Sequence, residues 1–254
     1  MPTARGCSLR SRKAKAPPLC GCWWWFGARI LRPRGGLPVS PDWRSIDPST
    51  LSPVERYRLL IGTVIPRPIA WVTTANAGGL INCAPFSFFN GITSSPMTVM
   101  IAIGPRQPPK DTLANLRVRG EAVIHLVNDE HLEACHQSGG EYAADCSEVE
   151  QLQLATCPSE RVSVPRLRDA AVAMECRLSQ ELPIGEPATT VVFCEILLLH
   201  LQSTVVDAAG WPDVERLRAV ARLGERAYLQ GREWSVRSLP KQEVPPALRR
   251  HRDG

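Results

Sequence analysis

The sequence predicts a mainly β protein, built as a closed antiparallel barrel with small helices at its ends. Predicted strands outnumber predicted helices, and several neighbouring strands are joined by short turns, such as those at 77–79 and 185–187. Short turns join antiparallel neighbours, whereas parallel strands need long crossovers, so a barrel is favoured over a βαβ sheet. A chain of 254 residues can also bury one sizeable core without dividing into two domains.

Local patterns define the elements along the chain. Ser52 is placed to cap the first helix, and β-branched residues mark the first strand. In order, the predictions are a helix over 53–60, strands over 69–75 and 97–103, a helix over 112–118, a strand over 122–127, a helix over 129–137 capped by Asp129, a weak helix over 149–154, strands over 171–180 and 190–201, and a helical or irregular segment over 215–223. The strand over 190–201 is almost continuously apolar, which indicates burial on both faces.

Charge separates the first forty residues from the rest. They contain eight basic residues and no acid, so removing them from the net charge of +5 leaves −3 for the remainder. The body therefore has no global basic field to attract nucleic acid. The longest uncharged run of this leader, over 16–28, is too short to span a bilayer.

We divide the chain into a basic, disordered leader and linker over 1–52, one domain over 53–239, and a frayed tail over 240–254. The leader has neither the apolar core nor the cleavage site of a signal peptide. An organelle transit peptide is one alternative for it. Our preferred interpretation is a flexible extension translated from an upstream start that the working protein does not use.

The cysteines indicate a reducing compartment. Their number is nine, an odd count, and no C-x-x-C pair occurs. Cys83, Cys176 and Cys194 lie in apolar runs, where a free cysteine behaves as a small buried hydrophobe. We therefore predict a cytoplasmic protein without structural disulfides.

Several well-known catalytic motifs are absent from the sequence. There is no G-x-G-x-x-G, G-x-x-x-x-G-K-[ST], H-E-x-x-H or G-x-S-x-G, so a Rossmann dinucleotide fold, a P-loop, a zincin and a nucleophile elbow are all unsupported. His131, Cys135 and His136 share a helical patch. Two of them are sequence neighbours that face different directions, so we predict a solvated helix face and no metal site.

A phosphate site is predicted where Lys110, Asp111 and Thr112 begin a helix. A helix start presents free N–H groups and partial positive charge, which bind anions. Lys110 adds a full charge, Thr112 adds a hydroxyl, and Arg106 is a second cation within reach. The alternative is that Asp111 or Thr112 simply caps a surface helix. The segment 82–90, predicted as a polar and aromatic loop, would hold a flat aromatic ligand beside this phosphate site.

Three motifs in this region resemble those of the flavin reductase-like family, which binds FMN on a split β-barrel. They are P-R-P-I-A-W-V-T-T at 66–74, G-x-I-N-C-A-P-F-S-F-F-N at 79–90 and K-D-T-L-A-N-L at 110–116. The R-L-G-x-x-x-Y element that starts at Arg222 is similar to one near the end of that family's domain. The resemblance covers about 54–229 and implies a six-stranded antiparallel split barrel of Greek-key type with small flanking helices, in the flavoredoxin-like branch.

The resemblance also implies an FMN site. The residues that it assigns to cofactor binding are Arg67, Thr73, Asn82, Cys83, Ala84, Ser87, Phe88, Asn90, Lys110, Asp111, Thr112, Arg222 and Tyr228.

Within this set, the 82–90 segment is expected to touch the isoalloxazine ring with backbone N–H groups and the side chains of Asn82 and Ser87. Arg67 either pairs with the flavin or lies solvated at a strand edge. Cys83 replaces the alanine of the family pattern; we favour space filling over tuning of the flavin. Arg222 and Tyr228 are expected to complete the pocket across a dimer interface.

The implied activity is hydride transfer from NADH or NADPH to the N5 atom of the flavin, with the electrons passed to an acceptor. Such chemistry needs no catalytic side chain, because the cofactor carries the reaction. The resemblance also implies a homodimer and a redox partner protein, with no nucleic acid or membrane bound. The alternative is a non-catalytic FMN electron carrier reduced by a protein partner. An oxidase or haem-handling protein is disfavoured, since the five histidines lie outside the motifs.

Overall fold

The computed structural model of the protein describes residues 43–239. The predicted leader and linker over 1–52, apart from 43–52, and the predicted tail over 240–254 lie outside the described residues. The unit that begins at Asp47 holds all the elements below. No helix in the described part of the chain has the length and apolar character needed to cross a membrane. The helices are α1 (Pro53–Thr63), α2 (Asp111–Arg119), α3 (Leu132–Gln137), α4 (Glu148–Gln151) and α5 (Val214–Leu217).

Within residues 43–239, twelve strands form three sheets. They are β1 (Arg67–Pro68), β2 (Ala70–Ala75), β3 (Ile81–Phe86), β4 (Phe89–Ser94), β5 (Met97–Ile103), β6 (Glu121–Leu126), β7 (Thr156–Cys157), β8 (Arg166–Leu167), β9 (Val172–Ile184), β10 (Thr189–Leu201), β11 (Ala221–Leu223) and β12 (Ala227–Leu229). The main sheet has seven strands in the order β3-β2-β6-β9-β10-β5-β4, and every neighbouring pair is antiparallel.

The connection between the two edge strands shows that this sheet is a barrel. Only Ser87 and Phe88 separate β3 from β4. The edges of a flat seven-stranded sheet would lie about 28 Å apart, whereas so short a connection reaches only about 10 Å. The sheet must therefore curl until its edges meet, split between β3 and β4. This confirms the predicted fold class.

The strand count is seven where six were expected, and the extra strand is β4. The prediction of a loop over 82–90 is therefore wrong, because most of that segment forms β3 and β4. Pro85 is compatible with a strand here because β3 is an edge strand, where a missing N–H breaks no ladder. Asn82 is also satisfied, since its side chain has hydrogen-bond partners inside the fold.

Alternate strand residues fill the barrel, and α2 closes one end of it. Val72, Ile101, Ile124 and Val192 belong to this inner cluster, together with Leu116 of α2. A second cluster lies on the opposite face of β2 and β3.

The outer cluster joins Trp71 and Cys83 to Cys135 of α3, Val149 of α4 and Leu167 of β8. Because both faces are covered, no residue of β2 is more than 4% exposed.

The predicted two-sided burial of the strand over 190–201 is wrong. Only alternate residues of β10, Thr190, Val192 and Cys194, are buried, whereas Val191 and Phe193 on the outer face are only partly buried. The apolar run thus arises because the outer face of β10 also carries apolar residues, although it remains partly open.

Caps confirm one predicted helix start and correct another. Ser52 and Glu55 form a reciprocal capping box at the start of α1. The side chain that caps the turn before α3 is Asn128, not Asp129. Asp129 instead accepts hydrogen bonds from the backbone N–H groups of Gly231 and Arg232 and so anchors the end of the described chain. The segment over 215–223 ends as strand β11, which pairs with β1.

Candidate functional site

The start of α2 opens onto a groove with about 630 Å³ of empty space, which we call the α2 groove. Asn82 and Phe86 of β3 form one side of it, and Lys110 and Thr112 at the start of α2 form another. The loop over 138–142 and Glu148 of α4 complete the wall. The edge strand of the barrel and the helix that closes its end therefore meet at a single concave site.

The first turn of α2 lacks a side-chain cap. Ser52, Ser147 and Asp213 cap α1, α4 and α5 with their side-chain oxygens, whereas the Lys110 side chain at the N-cap of α2 makes no such bond. Within the described residues, the first backbone bond of this helix is donated by Ala114 to the Lys110 carbonyl. The preceding N–H groups are orphan donors, which attract an anion.

Charge at the helix start also favours an anion. The Arg106 guanidinium lies 3.0 Å from the Asp111 carboxylate, so this acid is already paired. The Lys110 ammonium lies 5.7 Å from the centre of the Phe86 ring. Burial, followed by the nearby Arg106 charge, lowers the pKa of Lys110. A bound anion would relieve this cost of keeping the ammonium charged.

A buried polar network fixes Thr112. The Asn82 side-chain amide donates to the Thr112 hydroxyl at 3.0 Å and to the Thr74 hydroxyl at 3.3 Å. Asn115 donates to the same Thr74 oxygen at 3.0 Å. Because the Thr112 oxygen accepts from Asn82, its own hydroxyl proton stays available to a ligand oxygen. The Asn82 amide nitrogen thus positions the helix start, and contact between this side chain and the ring stays a prediction.

The free edge of β3 is covered by α4. The Cys83 N–H donates to Glu148 Oε2 at 2.9 Å, and the Ser147 hydroxyl donates to the Ile81 carbonyl at 2.6 Å. Glu148 is only 6% exposed, and burial raises the pKa of its carboxyl. Glu148 was not among the predicted site residues; its only signal in the sequence is its position directly after the helix cap Ser147.

The loop over 138–142 approaches β3 closely because it contains glycine. A Cβ atom at Gly139 would lie 3.2 Å from the Pro85 side chain and 3.3 Å from the His136 carbonyl. Ser138 anchors the loop, since its hydroxyl accepts the indole N–H of Trp71 at 2.8 Å. This wall of the α2 groove is therefore attached to the outer core.

Four predicted site residues lie in a second groove, which we call the α1 groove. Arg67, Ser87, Phe88 and Asn90 line it beside α1 and the outer face of β5. It holds about 800 Å³ of empty space that is partly open to solvent, and most of its surface is apolar. Asn82, Ala84, Lys110, Asp111 and Thr112, in contrast, line the α2 groove. Nine of the predicted residues thus line two grooves, the α2 groove beside β3 and the α1 groove at the β3–β4 connection.

Arg67 uses its guanidinium within the fold. Although 4% exposed, it donates to the carbonyls of Ile61, Val64 and Gly224 at 2.5, 3.1 and 2.8 Å. It also donates to the Ser87 hydroxyl at 3.3 Å. This side chain joins α1 to β1 and to the β3–β4 connection, and it is not the solvated residue that was one expectation.

Cys83 and Thr73 point into packed regions. Cys83 is fully buried in the outer cluster, and burial raises the pKa of its thiol well above the ordinary value. Such a thiol is inert, which agrees with a space-filling role. The Thr73 hydroxyl donates to the Pro165 carbonyl at 2.9 Å and holds the loop before β8.

Arg222 and Tyr228 pair with each other outside both grooves. They face across β11 and β12, with the guanidinium 4.9 Å from the ring centre. The Tyr228 hydroxyl lies 2.8 Å from Nδ1 of His136 on α3. Within this chain they support the loop that follows α3. That loop lines the α2 groove, whereas Arg222 and Tyr228 do not.

Comparison with known proteins places this architecture in a family. Residues 61–213 match the profile described as "Flavin reductase like domain". An uncharacterised protein of Halalkalibacterium halodurans is 40% identical over 189 residues, which cover 72% of this chain and 90% of that protein.

Two solved structures share the fold over their whole length. Nitrilotriacetate monooxygenase component B from Bacillus cereus aligns with a TM-score of 0.72 at 28% identity, covering 81% of this chain and 100% of that one. The 2-nitrobenzoate 2-nitroreductase of Pseudomonas fluorescens aligns with a TM-score of 0.72 at 30% identity, covering 80% and 100%. Both names describe enzymes or enzyme components of redox chemistry.

Proposed function

The chain belongs to the family of flavin reductase-like domains, and from this premise we propose that it binds FMN and transfers hydride from NADH or NADPH to the flavin. The observation that carries the proposal is the uncapped start of α2, which combines orphan N–H groups with the half-buried Lys110 and the buried Thr112. These donors fit a phosphate monoester dianion.

The ring of the flavin is proposed to lie along β3, between the α2 groove and the α1 groove. Support comes from Phe88 and Met100, which give the α1 groove an apolar surface of the kind that a flat ring needs. The loop over 138–142 would shield the ring from one side, because Ser138 and Gly139 hold it close to β3. Arg67 would fix the β3–β4 connection without contacting the flavin.

When bound, FMN would supply the hydride acceptor, and the protein would supply binding and orientation. Lys110 and the helix start would hold the phosphate, and Asn82 would keep the Thr112 hydroxyl directed at it. No protein acid or base is assigned to the hydride transfer. The names of the two structural relatives, a monooxygenase component and a nitroreductase, support passage of the electrons to a further acceptor.

A homodimer, located in the cytoplasm, completes the proposal. The surface of the barrel beside β4 and β10 is partly apolar: Ile92 is 52% exposed, and Val191 and Phe193 of β10 are only partly buried. A second copy of the chain packed there would cover this surface.

The direct test of the reaction is an anaerobic visible spectrum of the protein reconstituted with FMN, before and after addition of NADH or NADPH. Prompt bleaching of the flavin band by either donor is the expected result. A band that forms but does not bleach would contradict the reductase and favour an electron carrier reduced by another protein. Failure to retain FMN would refute the proposed site.

The phosphate site has its own test in Lys110→Glu. Charge reversal beside a dianion should weaken FMN binding roughly 10- to 100-fold, while riboflavin, which lacks the phosphate, should bind with nearly unchanged affinity. Fluorescence titration of both ligands measures this. Arg58→Glu, with the same charge change on the exposed surface of α1, is the matched control. Equal losses for both ligands would place the phosphate elsewhere.

A further inference from the structure

Glu148 is a buried acid in the α2 groove that the proposed chemistry does not use. We propose that Glu148 takes up a proton when the phosphate of the flavin occupies the groove, so that ligand binding and proton binding are coupled at this residue. The inference rests on the proposed FMN site. It deepens that site by adding a residue that senses whether the site is filled.

The geometry places the carboxyl between the ligand site and the barrel edge. Glu148 lines the α2 groove, and it also lines a smaller polar pocket beside Asn76 and Asn115. Its Oε2 atom accepts the Cys83 N–H, the one side-chain hydrogen bond of Glu148 that the structure records. A proton taken up from solvent would therefore form its O–H bond at Oε1. The added proton removes one negative charge and supplies a new donor.

The surrounding charges determine how readily this occurs. On the α2 side lie Asp111 and Lys110, with Arg106 in the loop that precedes them; across the groove lies Glu141. The buried Cys83 thiol of β3 stays neutral. Burial raises the pKa of Glu148, and the negative charge of Asp111 adds to this effect.

Linkage then fixes the sign of the pH dependence. A phosphate dianion in the same groove raises the pKa of Glu148 further, because like charges repel in a partly desolvated site. FMN affinity should therefore be highest below the pKa of Glu148 in the free protein. It should fall as the pH rises toward the pKa in the complex, and then level off. The phosphate of FMN also titrates, but equally in every variant.

Isothermal titration calorimetry measures the coupling directly. FMN is titrated into the protein in two buffers that differ in ionisation enthalpy, at several pH values, and the difference gives the protons taken up per flavin bound. Glu148→Gln keeps an oxygen to accept the Cys83 N–H but cannot titrate. Glu141→Gln, an acid in the same groove, is the matched control.

On binding FMN, the wild-type protein and the Glu141→Gln variant should each take up a fraction of a proton. The Glu148→Gln variant should not take up this fraction. Above the pKa of the complex, Glu148→Gln should also bind FMN about three- to tenfold more tightly than wild type. Equal proton uptake in wild type and Glu148→Gln, with FMN bound by both, would overturn this inference alone. A wild-type protein that binds no FMN would instead overturn the proposed function.

Discussion

Strands β2 and β4 belong to one barrel but lie in very different surroundings. Every residue of β2 is at most 4% exposed, whereas Phe89 is the only buried residue of β4 and Ile92 is 52% exposed. The difference arises outside the barrel, where α3, α4 and β8 pack on β2 and β3. The polar groups of the α2 groove, including Asn82, Thr112 and Glu148, lie on the covered side. Where helices pack on the outside of the strands, polar side chains are held in fixed positions. A sheet face exposed to solvent does not hold them in this way.

The largest expected contrast between the two sides comes from truncating one apolar side chain on each. Trp71→Ala removes a fully buried indole and its bond to Ser138, and should cost about 3–5 kcal/mol of unfolding free energy. Ile92→Ala on β4, where the side chain is 52% exposed, should cost less than about 1 kcal/mol in a monomer. Chemical denaturation of both variants makes the comparison. Similar losses would show that β4 is also covered, as it would be in a dimer.

Acid should weaken the covered side through His125. This buried ring lies with Nδ1 2.9 Å from the Trp71 carbonyl and with Nε2 accepting the Leu167 N–H at 2.9 Å, so it is neutral with its proton on Nδ1. Burial lowers the pKa of His125 from 6.5 to about 4. The unfolded chain therefore binds this proton first, and stability present above pH 6.5 is lost as the pH falls toward 4. The loss attributable to His125 is about 3 kcal/mol.

Denaturation of wild type and His125→Asn across that range isolates the effect. The variant should be less stable at pH 7, and the gap should close as the pH falls to 4. His136→Asn, on the exposed face of α3, should keep the wild-type pH dependence. A gap for His125→Asn that stays constant with pH would show that the ring does not hold its neutral form.

The smallest expected effect on stability comes from Asn82. It tests whether this side chain positions Thr112 for the ligand or only packs in the fold. Asn82→Ala removes two hydrogen bonds to buried hydroxyls and should cost about 1–2 kcal/mol, with FMN affinity about tenfold lower because Thr112 loses its partner. Asn90→Ala on exposed β4 should cost less than about 0.5 kcal/mol. Thermal denaturation and flavin titration supply the two readouts. An Asn82 variant with normal affinity would show that Thr112 needs no positioning.

Features of this fold that depend on neighbouring residues can be predicted from the sequence. Features that depend on contacts between distant segments cannot. The Ser52 cap and the turn at 77–79 depend on neighbouring residues, so they are visible in the sequence. β4 was missed because its neighbour in the chain, β3, lies on the opposite edge of the sheet and not beside it as a hairpin partner. The two-sided burial belongs to β2 instead of β10, since it depends on which strand α3 and α4 cover.

The residues of the candidate site also divide into those with a local sequence signal and those brought together only by folding. Lys110 and Thr112 were found because a helix start and a phosphate site have a local signature. Glu148 and Ser138 come from distant segments that only the folded chain brings to β3. Arg67 was assigned to the flavin from its motif, although the carbonyls that occupy it belong to residues as distant as Gly224. Partners separated by such distances leave no pattern in a single sequence.

The strand order also has a consequence for synthesis of the chain on the ribosome. β9 and β10 lie between β6 and β5, yet Val172 follows Ile103 by 69 positions. Until that hairpin emerges, β5 and β6 each present an apolar strand with a bare edge, which is the kind of surface that pairs with other nascent chains. The β9–β10 hairpin therefore completes the barrel. A nascent chain that stops before Val172 carries two unpaired strand edges, which only a chaperone or a second polypeptide can cover.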